Sequence, residues 1–319
     1  MAAPTLQSYG PGNVDEVLTT TLVNMIPGIR DNIFKSNPVF NWLYKGKNKL
    51  RVKGGASVSH GVLYESNSTV KSYSRYGTLD TTAQDGLTRD QWPWKQYAGT
   101  ISIDGFTERA NAGEKIEDIM DAKKMQLEES FGLKLEQDLF AASPGSEDIR
   151  SLPVVVLASG TEGEINGTTN SWWQSSVTAS GSFASQGRSD LTNVWNTLAV
   201  KQPVGGPEMI VSDQTSFETY ESSLVPHERF TDNKMADIGI RNLKFKDTPW
   251  TWSPQATSGV IYLLHSGGLE FAVSSNTDFL VKPFVEPTNQ DAKVSKVLLQ
   301  CALTTGNRAK LGKLTGVTA

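Results

Sequence analysis

Between Glu114 and Ser143 the apolar residues Ile116, Met120, Leu127, Phe131, Leu135 and Leu139 recur at four- and seven-residue steps. That spacing gathers them into one stripe and predicts a single helix over 114–143. Asn111-Ala-Gly-Glu114 supplies a capping start and Ser143-Pro144-Gly145 a stop. At 1.5 Å per residue such a helix is ~45 Å long, and one stripe on so long a rod suits a helix laid across a sheet. Nearer the N-terminus, Val14, Val17, Leu18, Leu22 and Met25 share one face of a shorter helix that Pro27-Gly28 ends. Asn37-Pro38 then opens another, leading into Val39–Tyr44.

The pattern changes at Lys45. Lys45, Lys47, Lys49, Arg51 and Lys53 are basic at every second position, which is strand periodicity and puts five positive charges on one face. Such a row can meet phosphates, or it is the solvated face of a strand. Beyond it, strand-like Ala56–Tyr64 and Tyr97–Ile103 flank Glu65–Gln96, a polar stretch broken by Tyr76-Gly77 and Asp85-Gly86. About 30 residues with so little apolar content do not sit inside a compact core. The pattern predicts an extended β-hairpin reaching away from the body, whose Tyr73, Tyr76, Trp92 and Trp94 need a partner to bury them.

After the long helix comes a loop-rich section, Gly160–Gly187, with Trp172-Trp173 in it. A second unit follows: a helix over Asp190–Leu198 capped by Ser189 or Asp190, a second over Ser212–Leu224, and short apolar strands at Glu208–Val211, Val260–Leu264 and Leu269–Val273. Strands alternating with helices predict a mixed α/β layer. Ala292–Leu303 alternates and is expected to pair as a strand in the first unit. The longest apolar run, Val154–Ala158, falls far short of the ~20 residues that span a bilayer, so no membrane is expected.

Composition narrows the function classes. Thirty basic against 34 acidic residues leave a net charge of −4, which handicaps a free-standing nucleic-acid binder. The single cysteine, Cys301, excludes an intramolecular disulfide, a CxxC redox pair and a cysteine-based zinc site; it reads as a small packed apolar residue. The N-terminal residues lack a basic start and an apolar core, so the protein is expected to be made and used in a cytoplasm. Catalytic motifs fail in turn. Of His60, His227 and His265, only His227 precedes a glutamate, and no second histidine follows at zinc spacing. Gly55-Ala-Ser57-Val-Ser59 lacks the second glycine of a nucleophile elbow. Gly306 and Gly312-Lys313-Leu314 are too far apart for a phosphate loop and lack its Ser/Thr. The pairs Glu117-Asp118 and Glu128-Glu129 lie on the long helix as a solvated face. No catalytic, cofactor-binding or metal site is expected, and the protein is expected not to be an enzyme.

Several stretches follow one another in a telling order around the long helix: Glu65-Ser-Asn-Ser-Thr69, Tyr73–Asp80, Asp85–Gln96, Ser171-Trp-Trp-Gln174, Ile210-Val-Ser-Asp213, Asn289-Gln-Asp-Ala292 and Gly306-Asn-Arg308. In that succession the sequence resembles the major capsid proteins of tailed bacteriophages, which have the Hong Kong 97-type shell fold. The resemblance implies an α+β chain with an N-terminal arm (1–49) and an extended loop (50–104). It also implies a peripheral domain (105–189 and 285–319) carrying the long helix as a spine, and a mixed α/β axial domain (190–284). It implies a structural protein that assembles with copies of itself into the pentamers and hexamers of an icosahedral head around double-stranded DNA. Tyr73, Tyr76, Trp92 and Trp94 would then lie on a neighbouring subunit, and Lys45, Lys47, Lys49, Arg51 and Lys53 would face the genome through weak non-specific contacts. A separate scaffolding protein, a portal and a decoration protein are the implied partners, with assembly in the host bacterial cytoplasm into a virion capsid. The alternative is a β-rich phage tail or adhesin component, which the loops and tryptophans favour and the long helix disfavours.

Overall fold

The computed structural model describes residues 37–110, 119–201, 205–224 and 243–318, with every side chain among them except those of 107, 108, 110 and 119–122. The expected helix over 14–25, the side chains of Ile116 and Met120, the pair Glu117-Asp118 and His227 lie outside the described residues.

Pro38, at the first helical position, starts α1 (Pro38–Lys45), which buries Val39, Phe40 and Leu43 and ends where the Gly46 N–H meets the Trp42 carbonyl. A short turn leads into β1 (Lys49–Val52). Four short strands, β2 (Ser57–Val58), β3 (Gly61–Leu63), β4 (Leu87–Arg89) and β5 (Trp92–Pro93), then form a hairpin. Its second arm runs on into the ten-residue β6 (Lys95–Asp104). After α2 (Gly105–Ala110) comes the long helix α3 (Ile119–Leu139), which stops four residues before the expected Ser143. Phe131, Leu135 and Leu139 of its stripe are buried, while Leu127 is half-buried.

Next come α4 (Leu152–Val155), the small hairpin β7 (Thr161–Glu162) and β8 (Ile165–Asn166), and β9 (Ser176–Ala179). In α5 (Arg188–Val200) neither Ser189 nor Asp190 is the cap: a π-turn over Phe183–Gly187 runs straight into the helix. β10 (Met209–Ser212), α6 (Gln214–Leu224), β11 (Lys244–Phe245), β12 (Thr248–Trp252) and β13 (Val260–Leu264) follow. The chain closes with β14 (Glu270–Ser274), β15 (Leu280–Val281), β16 (Ala292–Thr304) and β17 (Gly312–Thr315).

These strands make two main sheets. The first has the order β1-β14-β16-β15, with β6 antiparallel to the opposite edge of β16 from Ala292↔Asp104 to Cys301↔Lys95. The second has the order β11-β12-β10-β13-β17-β9. The strand expected at Leu269–Val273 in the second unit falls in the first sheet instead. β14 and β15 fall inside the span 190–284 yet belong to the first sheet, because Phe271 and Val273 pair with Lys49 and Arg51 on one side and with β16 on the other. β9 and β17 lie outside that span yet complete the second sheet.

One core joins the layers. Val39, Phe40, Phe131, Leu135, Leu139, Phe271, Val273, Leu299 and Cys301 pack together with Met209, Val211, Tyr262 and Leu264 from one face of the second sheet. The other face of that sheet, with Ile210, Ile261, Leu263 and Leu314, is covered by Leu191, Val194 and Leu198 of α5 and by Tyr220 of α6. Burial on both faces explains why β10 and β13 read as unbroken apolar runs rather than alternating ones. The long helix comes close to β6 because residue 99 is glycine; a Cβ there would stand 2.8 Å from the Phe131 ring.

Candidate assembly surface

The hairpin keeps one register along its length, from Ser57↔Pro93 and Val58↔Trp92 through Gly61↔Arg89 to Leu63↔Leu87. Backbone bonds from Asp90 N–H to the His60 carbonyl and from Tyr64 N–H to the Gly86 carbonyl continue it across the gaps between the short strands. With a period of two, the face carrying Val58, His60, Val62 and Trp92 turns toward the body, and the face carrying Leu63, Leu87 and Arg89 turns to solvent.

The inner face is docked, not free. Trp92, 1 % exposed, packs with Val58, Val62, Ile165 and Trp173 over Ala272 and Ala302. Those two alanines are directly paired across β14 and β16, and their small side chains leave room on the sheet for two indoles. Contrary to expectation, Trp92 needs no partner to bury it; its own chain does so. Trp94 is half-buried beside the same cluster and donates its indole N–H to the Gly55 carbonyl at 3.0 Å. Farther out, Tyr64 stacks on Trp172 with ring centroids 5.3 Å apart.

The root is pinned by charge as well. The fully buried Asp90 carboxylate accepts from the His60 N–H (2.5 Å) and the Trp92 indole N–H (2.8 Å), and it lies 3.0 Å from His60 Nδ1. On the other side of the ring, His60 Nε2 is 3.3 Å from the Glu270 carboxylate of β14. Bonding to Asp90 foremost, and to Glu270 after it, raises the His60 pKa to about 9, so the imidazolium ties hairpin to sheet at neutral pH.

Beyond Tyr64 the chain reaches the tip, 65–86, which holds its shape by local polar bonds. Ser68 Oγ donates to Gln84 Oε1 at 2.9 Å across the loop, and Asn67 and Asp80 accept from Thr69 and Thr82. Its apolar side chains stand in solvent: Tyr76 is 93 % exposed, with Val70, Tyr73 and Leu79 exposed beside it and the Leu63–Leu87 pair at its base. Of the four aromatics expected to need a partner, Tyr73 and Tyr76 stand exposed without one among the described residues.

The basic row does not form a single face. Lys45 ends α1, Lys47 lies in the turn, and only Lys49 and Arg51 are in β1. Lys49 lies over the Tyr44 ring and pairs with Asp278 at 2.8 Å, and Arg51 reaches the same carboxylate at 3.1 Å. Burial alone would raise the Asp278 carboxyl, but hydrogen bonds from Lys49 and Tyr44 hold it below its ordinary value. Lys45, Lys47 and Lys53 are exposed.

Three buried polar groups escape a reading of the sequence. Glu136 of α3 accepts from the Phe40 and Val39 N–H groups and from Ser253. Arg308 is fully buried and donates to the carbonyls of Val155, Leu157 and Ser159. Asp138 accepts from the Tyr97 hydroxyl at 2.7 Å. Each satisfies backbone or side chains far away in sequence, and no local pattern marks them. Burial pushes the Cys301 thiol well up, away from any nucleophilic role. Among the described residues no cluster of His, Cys, Asp and Glu could hold a metal ion, and no helix is long and apolar enough to cross a membrane.

No family model matches the sequence, and no curated protein matches it. Solved structures do. The capsid of cyanophage A-1(L) superposes with a TM-score of 0.70 at 12% identity, over 93% of this chain and 97% of that one. The chain has the Hong Kong 97-type capsid fold. The capsid of a native GTA particle follows at a TM-score of 0.63 and 10% identity, over 98% of this chain and 100% of the other. The SrpI encapsulin from Synechococcus elongatus matches at 0.62 and 11% identity, over 97% and 96% of the two chains. At these identities the likeness is one of fold, and it takes in both main sheets, the long helix and the hairpin.

Proposed function

We propose that this chain is a major capsid protein, a structural subunit that assembles with copies of itself into the pentamers and hexamers of an icosahedral phage head around double-stranded DNA. The exposed tip carries this reading. Tyr73, Tyr76, Val70 and Leu79 stand in solvent on a loop whose shape is already set by its own polar bonds, so a partner meets a preorganised apolar surface. In a shell that partner is the adjoining subunit. Residues 1–49 act as the arm and 50–104 as the extended loop. The first sheet with α3 forms the peripheral domain, and the second sheet forms the axial domain around the symmetry axes. Lys45, Lys47 and Lys53 make weak non-specific contacts with packaged DNA, a scaffolding protein guides assembly, and a portal and a decoration protein complete the head.

The encapsulin likeness favours a second reading, a shell of that type in place of a virus head. Negative-stain microscopy of purified assemblies followed by nuclease treatment separates the two. Closed shells that protect double-stranded DNA support the phage head, and closed shells free of nucleic acid support the encapsulin-type shell. Fibres would return the tail or adhesin reading, and a stable monomer at micromolar concentration would overturn shell building.

A further inference from the structure

His60 stands between two carboxylates that belong to different parts of the fold. Its Nδ1 is 3.0 Å from Asp90, on the opposite arm of the hairpin, and its Nε2 is 3.3 Å from Glu270 in β14. Among the described residues these two are the charged groups that face the ring, and the Glu270 contact is the ion pair that joins the hairpin to the first sheet. A neutral imidazole carries one N–H, so only the doubly protonated ring can donate to both sides at once.

The two contacts are unequal. Asp90 is fully buried and accepts from the His60 backbone N–H and the Trp92 indole; without the Nδ1 proton it becomes a buried charge short of a donor. Glu270 is 34 % exposed and can exchange the ring for water, and Nε2 faces it without a well-aligned hydrogen bond. The proton that stays is therefore the one on Nδ1. We infer that His60 is a proton-operated latch: loss of the Nε2 proton frees the hairpin from β14 while its two arms stay joined through Asp90. The proton passes to water beside the Glu270 carboxylate, the ring becomes neutral, and the hairpin moves as one piece about its root. The folded pKa of about 9 sets the range in which the latch opens. What still holds the hairpin is the apolar seat of Trp92 and, farther out, the stack of Tyr64 on Trp172. The latch thus sets how firmly the exposed tip is aimed, whatever surface that tip meets.

Two measurements on the full-length chain test the latch. Magic-angle-spinning NMR with nitrogen-labelled histidine reads the ring directly, the His60 signals being identified by their loss in His60→Asn. Both ring nitrogens are expected to carry protons at pH 7, and Nδ1 alone at pH 10. A ring already neutral at pH 7, or one that keeps its last proton on Nε2, overturns the inference. The second measurement follows the hairpin itself. Spin labels on Leu87→Cys in the hairpin and Val200→Cys in the other layer, diluted into unlabelled chain, report the distance between them; both positions are exposed, and native Cys301 is fully buried and stays unlabelled. The distance distribution is expected to broaden by about twofold or more from pH 7 to pH 10 with circular dichroism unchanged, and in Glu270→Ala to be broad at both. A width that ignores pH, a width that grows only as secondary structure is lost, or a Glu270→Ala width equal to wild type at pH 7 overturns the inference.

Discussion

Glu136 of α3 caps α1 from a distance: its Oε2 accepts the Phe40 N–H at 2.7 Å although the two residues lie 96 positions apart. The local cap position, Asn37, makes no side-chain capping bond, so the first turn of α1 depends on the long helix for its acceptor. Glu136→Ala leaves the Val39 and Phe40 N–H groups and the Ser253 hydroxyl without their partner and is expected to cost about 1–3 kcal/mol in urea unfolding. Glu136→Gln keeps one acceptor and is expected to cost less. Burial raises the Glu136 pKa, so its contribution is fully present below the unfolded carboxyl range and is lost as pH rises through the folded value. The Gln variant is expected to lack that pH dependence; identical pH profiles for the two proteins would refute the assignment.

His60 gives the opposite end of the pH scale. Its pKa rises from 6.5 unfolded to about 9 folded. The stabilisation is complete below pH 6.5 and is lost as pH climbs through about 9. The stability gap between the wild type and His60→Asn is expected to be widest at pH 6 and to narrow steadily toward pH 10. A gap that is constant with pH would show that the ring acts by packing alone.

Two aromatics on one hairpin are expected to behave in opposite ways. Trp92→Ala opens a cavity over Ala272 and Ala302 and should destabilise the subunit by about 3–5 kcal/mol. Tyr76→Ala changes an exposed side chain and should shift subunit stability by no more than about 0.5 kcal/mol, while weakening shell formation seen by light scattering. Assembly that is indifferent to Tyr76 would remove the tip from the subunit interface.

Replacing Thr69–Ala83 with a short glycine bridge removes the tip and spares the docked root. Circular dichroism and thermal melting are expected to stay close to wild type, because no core side chain is lost; micrographs are expected to show no closed shells. Closed shells of normal stability from this variant would show that the tip is not a clamp between subunits.

The sequence made the long helix and the hairpin legible for physical reasons. Phe131, Leu135 and Leu139 follow the helical repeat because one face of α3 meets the core, and 65–86 is mostly polar, with its few apolar side chains exposed, because no core covers it. Leu127 lies on the same stripe but only half-buried, since the stripe extends past the packed part of the sheet. Trp92 was misread because its seat is made by Ala272 and Ala302, two small residues in strands that otherwise carry Phe, Val and Leu. Those alanines were the available signal. The basic row failed as a strand because α1 runs through Lys45, so the alternation spans a helix end, a turn and a strand. The strand at Leu269–Val273 was not legible as part of the first sheet because β14 pairs there with β1, more than 200 residues earlier in the chain.

The central strand of the first sheet, β16, is synthesised after every one of its neighbours. β6, β14 and β15 emerge from the ribosome with no common partner until residues 292–304 follow them, and the second sheet waits longer still for β17 to join β13 to β9. Neither layer can close before residues 292–315 have been made, so the exposed tip, though complete early, waits on strands far behind it in the chain for a finished body.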